Sequence, residues 1–192
     1  MVKAGFNNNI PYNRVGRHMQ ILQGGTYLDS LQIRWTNIAQ GIELKKYGRL
    51  LIFNRMKIAI INGPNLNLLG IREPGIYGRQ TFEDFLKGLK EKYPEIQIDY
   101  FQSNVEGELV NELQRVGFSY DGILLNAAAY THTSIAIGDA IAAIKTPVVE
   151  IHISNIAARE EYRLRSLVAA KCVGAIAGLG LKGYELGLQY FL

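Results

Sequence analysis

From about Met56 onward, short apolar runs alternate with longer stretches whose apolar residues return every three or four positions. Lys57–Ile61, Ile96–Phe101, Gly122–Leu125, Val148–Ile153 and Gly174–Ala177 are apolar runs of strand length, as expected for strands buried on both faces of a parallel sheet. Between them, "TFEDFLKGLKEKY" puts Phe82, Phe85, Leu86 and Leu89 on one helical face. "EGELVNELQRVGF" does the same with Leu109, Val110, Leu113 and Val116. "TSIAIGDAIAAI", "AREEYRLRSLVAA" and "GYELGLQYFL" predict three further helices. Strands alternating with helices through short connections imply right-handed βαβ units. Five strands and five helices over residues 56–192 predict an α/β fold, a flavodoxin-like three-layer sandwich around a five-stranded parallel sheet of order 2-1-3-4-5.

In such a sheet the ligand sits beyond the carboxyl ends of the strands, where the strand order reverses. The loop after the first predicted strand, "NGPNLNLLGIREPGIYGRQ", holds four glycines, two prolines, three asparagines, two arginines and a tyrosine. Neither the dinucleotide pattern G-x-G-x-x-G nor a P-loop ending in G-K-[S/T] can be written onto it. The third strand runs into "LLNAAAYTHTS", which delivers Asn126 and His132. The fourth runs into "VVEIHISNIAAREEYR", which delivers Glu150, His152, Ser154 and Asn155. Strands one, three and four are neighbours in the predicted order, so the three polar loops converge on one crevice.

Each residue also has an ordinary reading. Tyr77 is one of eleven tyrosines, and a loop tyrosine commonly packs its ring and leaves its hydroxyl wet. His132 precedes Thr133 and Ser134 at a predicted helix start, where local capping competes with ligand contact. Glu150 and His152 share one side of their strand by period-two alternation, so they form either a structural ion pair or an oriented, proton-holding histidine. Arg159 and Arg163 stand four apart on a predicted helix around Glu160 and Glu161, a pattern that surface charge pairing explains.

His18, His132 and His152 lie too far apart in sequence for a metal-ligand spacing, and there is no G-x-S-x-G elbow. Cys172, the sole cysteine, sits in "LVAAKCVGAIAG", where a small buried thiol packs like alanine, and it excludes an internal disulfide. What remains is a site without metal or cofactor, built from Tyr, His, Arg, Asn and helix N-termini. It suits an anionic, hydroxylated small molecule and proton transfer.

Composition changes this picture in one respect. At 48% hydrophobic and 20% charged the chain reads as globular, with a net charge of +4. The excess is local: residues 1–55 hold eight Lys/Arg against two Asp/Glu, and residues 56–192 hold 13 against 15. The overall charge therefore does not argue for nucleic acid. Residues 1–55 show no sustained periodicity and no apolar stretch of membrane-spanning or signal-peptide type. They are expected to be an extension (a disordered appendage, a packed arm or a start site placed too early) ahead of one domain over 56–192. The lone cysteine and the lack of a targeting segment lead to an expected cytoplasmic location.

"INGPNLNLLGIREPGIYG", "LNAAAYTHTS", "VEIHISNIAAREEYRLRS" and "GLGLKGYELGLQYF" together resemble type II 3-dehydroquinate dehydratase, over essentially all of residues 56–192. The resemblance implies elimination of water from 3-dehydroquinate to give 3-dehydroshikimate in the shikimate route, without a cofactor, in a dodecamer of four trimers. It implies Tyr77 as the base, Arg72 as its activating cation, Asn65 as the enolate stabiliser, His152 as the general acid and Glu150 as its orienting carboxylate. It further implies substrate contacts from Asn126, His132 and Arg163, a carboxylate site at the amides of Ile153 and Ser154, a lid-side Arg159, and Asp139 reaching a neighbouring subunit's site. Two other classes share some of these features. A flavin- or nucleotide-binding module would carry more Ser, Thr and Gly phosphate ligands in its first loop. A non-catalytic carboxylate binder could keep the arginines and lose Tyr77 or His152.

Overall fold

The computed structural model describes residues 55–70 and 80–192. Five parallel strands, β1 (Lys57–Asn62), β2 (Gln97–Gln102), β3 (Gly122–Asn126), β4 (Val148–His152) and β5 (Gly174–Ala177), pair in the order β2-β1-β3-β4-β5. The predicted sheet order is therefore the observed one, with strand ends moved by a residue. β2 starts and ends one residue later than its apolar run, and β4 stops at His152 rather than Ile153.

Among the described residues, four α-helices complete the sandwich: α1 (Phe82–Lys92), α2 (Glu106–Val116), α3 (Ile135–Ala143) and α4 (Lys182–Tyr190). Strand alternation sorts the core into two layers. Ile58, Ile60, Leu124, Val149 and Ile151 face one way and pack with Phe82 and Leu89 of α1 and Tyr184 and Leu188 of α4. Ala59, Ile61, Ile123, Leu125 and Val148 face the other way, against Leu109, Leu113 and Val116 of α2 and Ile137 and Ile141 of α3. Every residue of β1 after Lys57 is buried, as are all of β3 and β4, which is why their sequences carry apolar residues on both faces, broken only by Asn62, Asn126, Glu150 and His152 toward the carboxyl ends.

Helix starts follow local chemistry. Thr81 accepts a hydrogen bond from the Asp84 amide at 3.1 Å and donates to the Asp84 carboxylate at 2.7 Å, which anchors α1. Ser134 accepts from the Ile137 amide at 2.9 Å and begins α3. The capping role weighed for His132 therefore belongs to Ser134.

The fourth predicted helix is not one. Residues 156–171 form three single-turn 3-10 segments, Ile156–Ala158, Glu161–Arg163 and Ala169–Lys171. The reason lies in where the backbone bonds go. The Leu167 amide donates to the Thr131 carbonyl at 2.8 Å, and the Arg165 carbonyl is taken by the His132 ring at 2.8 Å. Groups committed to the loop after β3 are lost to an i→i−4 ladder, so tertiary bonding overrides helical periodicity. Arg159 consequently lies in a bend and Arg163 ends the second 3-10 segment, so the two do not share an α-helical face.

Among the described residues, no helix is long and apolar enough to cross a membrane.

Candidate active site

The loops after β1, β3 and β4 meet at the carboxyl edge of the sheet, at the switch between β1 and β3. Two close contacts stitch the first pair together. The Gly63 amide donates to the Asn126 carbonyl at 2.7 Å, and a Cβ at Gly63 would lie 2.6 Å from the Ala127 carbonyl oxygen. Only glycine fits there. Both non-glycine residues with positive φ among the described residues flank this junction: Asn65 at 65° and Ala128 at 53°. Each is held by an asparagine. The Asn65 amide donates to Asn104 Oδ1 at 2.9 Å, and the Ala128 amide to Asn126 Oδ1 at 3.2 Å. Strained backbone of this kind persists where surrounding bonds over-determine it, and it concentrates at ligand sites.

The resulting crevice is lined by Asn65, Asn126, His132, His152, Ile153, Ser154, Arg159 and Arg163. Eight of the twelve site residues expected from sequence are thus brought together. Glu150 lies directly behind them, 1% exposed, with His152 Nε2 2.9 Å from its Oε1. Asp139 is exposed on α3 and takes no part in the crevice of its own chain. Arg72 and Tyr77, like residues 1–54, lie outside the described residues.

Glu150 is more heavily bonded than alternation alone could tell. Its Oε1 accepts from His152, from Thr131 Oγ1 at 2.5 Å and from Ser166 Oγ at 3.1 Å, and Ser166 also lies 3.2 Å from Oε2. Burial opposes ionisation of this carboxyl. The bonds from His152 and Thr131, the attraction of the ring and the bond from Ser166 together outweigh it and hold the group below the ordinary carboxylate range. Ser166 in turn accepts from the Val168 and Ala169 amides at 3.2 and 2.9 Å, so one hydroxyl ties the irregular segment to the carboxylate. With Nε2 of His152 committed to Glu150, its Nδ1 is the nitrogen left for proton transfer.

His132 is fixed in a different way. Its Nδ1 meets the Arg165 carbonyl, which can only accept, so Nδ1 carries a proton and Nε2 is the nitrogen free of that bond. The two imidazoles lie nearly parallel, with centroids 6.3 Å apart.

The guanidiniums of Arg159 and Arg163 share Glu160, at 3.5 and 2.7 Å from their Nε atoms, and Arg159 reaches Ser154 Oγ at 3.3 Å. Charge pairing and crevice lining, the two readings open from sequence, are both realised by the same residues. Among the described residues that line the crevice, Arg159 and Arg163 are the arginines and there is no carboxylate; Glu160 stands outside that lining.

Three contributors carried no signal in the sequence: Thr131, Ser166 and Tyr184. Tyr184 lies fully buried in α4, beneath the crevice. Its hydroxyl donates to Asn62 Oδ1 at 2.7 Å and accepts from Asn126 Nδ2 at 3.0 Å. Cys172 is half-buried, and burial together with the Glu150 charge pushes its thiol up to about 12, in keeping with an inert packing role. Among the described residues, no group of three or more His, Cys, Asp or Glu could hold a metal ion.

Fold and crevice together define a doubly wound α/β protein with a histidine–carboxylate pair and two arginines facing a small-molecule site at its switch point. The sequence profile of the family described as dehydroquinase class II matches residues 56–192, and the chain belongs to that family. It is 52% identical over 143 residues to a 3-dehydroquinate dehydratase of Fusobacterium nucleatum, covering 71% of this chain and 97% of the relative. It is 53% identical over 135 residues to the 3-dehydroquinate dehydratase of Clostridium acetobutylicum, covering 69% and 94%. Among solved structures, the type II dehydroquinase from Butyrivibrio crossotus superposes with a TM-score of 0.69 at 44% identity, covering 71% of this chain and 97% of that one.

Proposed function

We propose that this chain is a 3-dehydroquinate dehydratase, which removes water from 3-dehydroquinate to give 3-dehydroshikimate and so serves the shikimate route. The observation that carries the reading is the buried Glu150–His152 pair, 2.9 Å apart and opening on a crevice walled by Arg159 and Arg163. Family membership supplies the substrate.

The reaction divides into proton removal and loss of the hydroxyl. Tyr77, ionised under the influence of Arg72, takes the proton from the carbon beside the ketone. A tyrosine ordinarily titrates near pH 10, and each unit of depression corresponds to about 1.4 kcal/mol of preferential stabilisation of the tyrosinate. The electron pair left behind moves onto the ketone oxygen as an enolate, which Asn65 stabilises. The enolate then re-forms the ketone, a carbon–carbon double bond forms, and the neighbouring hydroxyl departs as water with a proton from His152 Nδ1. Glu150 keeps the ring oriented and balances its charge. The amides of Ile153 and Ser154 receive the substrate carboxylate, Asn126, His132 and Arg163 hold the ring hydroxyls, and Arg159 closes the open side.

Asp139 is exposed in the single chain, and in this reading it completes a neighbouring subunit's site within a trimer of a dodecamer. Size-exclusion chromatography with light scattering tests that part, and a monomer of full activity would remove it.

The assay for the reaction itself is ultraviolet absorbance on 3-dehydroquinate, because the product's new double bond is conjugated with its ketone. Rising absorbance that is abolished in Tyr77→Phe is the expected result. A flat trace from folded wild-type protein would leave a carboxylate-binding role in its place, and activity surviving in Tyr77→Phe would move the base elsewhere.

A further inference from the structure

Asn126 takes part in ligand contact above, but Tyr184 and Asn62, bonded to it in one buried chain, are used by no step. The hydrogen bonds of that chain admit one direction only. The Ala128 amide can only donate, and it meets Asn126 Oδ1 at 3.2 Å. The oxygen end of that side chain is therefore turned to the backbone. Asn126 Nδ2 must then be the atom 3.0 Å from the Tyr184 hydroxyl, which accepts from it. Having accepted there, the hydroxyl gives its single proton to Asn62 Oδ1 at 2.7 Å. Asn62 and Asn126 are register partners across β1 and β3, so the phenol bridges the two strand ends from which the first and third loops depart.

Tyr184 is well placed to hold this arrangement. It is fully buried, with its ring edge-on to Phe82 at 5.1 Å and tilted against Phe85 at 5.9 Å. Burial drives its phenol far above the ordinary tyrosine range, with a smaller push from Tyr100, and the bonds to Asn126 and Asn62 only partly oppose this. It stays neutral and acts as a fixed donor–acceptor, not as a proton relay.

We propose that Tyr184 is a positioning residue that holds the Asn126 amide with an N–H, not its carbonyl oxygen, toward the crevice. One N–H of Nδ2 goes to Tyr184; the other is committed to neither of these bonds, and Asn126 lines the crevice. The floor of the site therefore selects a ligand atom that accepts, a hydroxyl or carbonyl oxygen. A ligand presenting only a donor there leaves two N–H groups opposed, the kind of mismatch that hydrogen-bonding sites reject strongly. The identity of the ligand rests on the proposed dehydratase function; the polarity of the floor does not.

The experiment compares Tyr184→Phe, Asn126→Ala and the double variant of the full chain in steady-state turnover of 3-dehydroquinate. Tyr184→Phe keeps the ring and removes the hydroxyl. Its KM is expected to rise about tenfold, the effect of about 1.4 kcal/mol of lost binding, with kcat within about threefold of wild type. Because Tyr184 acts through Asn126, the double variant is expected to match Asn126→Ala within about twofold. A KM unchanged in Tyr184→Phe, or effects that multiply in the double variant, would make Tyr184 a core residue only and overturn the proposal. If Tyr184→Phe does not fold, Asn126→Asp, which keeps the shape and carries no N–H, decides: a KM at least about tenfold above wild type is expected, and an unchanged KM overturns the proposal. If wild-type protein does not turn over 3-dehydroquinate, the functional reading fails separately. A crystal structure of Tyr184→Phe then tests the positioning: a rotated Asn126 amide is expected, and an unmoved one overturns it.

Discussion

Replacing Thr131 by valine removes one hydroxyl and almost no volume from a fully buried position. The lost bond, 2.5 Å to Glu150 Oε1, is a hydrogen bond to an ionised group, which contributes about 1.5–3 kcal/mol. Ser166 and His152 still reach the same oxygen, so the carboxylate is weakened rather than orphaned. The expected loss at pH 7 is about 2 kcal/mol, or roughly 8 °C in Tm for a domain of this size. The pH dependence separates this account from a simple packing defect. Glu150 is depressed in the folded state, so its bonds add stability above the unfolded value near 4.5 and lose it as pH falls through the folded pKa. Thr131 supplies part of that depression, so the gap between wild type and Thr131→Val should be widest at neutral pH and narrow in acid. Urea unfolding at one fixed protomer concentration, at pH 7 and at about pH 3.5, measures it. A loss under about 0.5 kcal/mol at pH 7, or a gap that does not change with pH, would mean that the Thr131 hydroxyl does not stabilise the ionised Glu150.

Gly63→Ala should lower stability by about 3 kcal/mol or more, because the new methyl would meet the Ala127 carbonyl at 2.6 Å and neither backbone can yield; unchanged denaturant midpoints would contradict this. Glu185 bonds Lys182 at 2.8 Å and Lys92 at 2.6 Å, and these hold its carboxyl at about 2, so its contribution is present above pH 4.5 and lost as pH falls toward 2. Glu185→Gln should therefore cost at most about 1 kcal/mol at pH 7, given its solvent-exposed lysine partners, and flatten the acid limb of a melting curve. Glu160→Ala frees both crevice guanidiniums from their shared partner, and KM should change several-fold with little change in Tm, a split that steady-state kinetics and a thermal scan can read together.

Most of the frame was legible because each layer repeats one simple rule. Ile58 and Ile60 face α1 and α4 while Ala59 and Ile61 face α2 and α3, and that alternation also put Glu150 and His152 on one side of β4. Loop convergence followed from strand order alone. The helix expected around Arg163 failed because periodicity counts apolar positions and does not see the Leu167 amide and Arg165 carbonyl being claimed by the loop after β3. Thr131, Ser166 and Tyr184 were illegible for a related reason. Each acts on a partner 19, 16 or 58 residues away through a single hydroxyl, and no local pattern distinguishes such a hydroxyl from a solvated one.

The proposed mechanism divides the labour, with proton removal by Tyr77 and hydroxyl departure through the Glu150–His152 pair. Proton NMR of 3-dehydroquinate in heavy water, with wild type and His152→Ala, tests it most directly. His152→Ala is expected still to exchange the hydrogen beside the ketone for deuterium while releasing almost no product. Undiminished product formation by His152→Ala, or loss of the exchange together with the elimination, would contradict it.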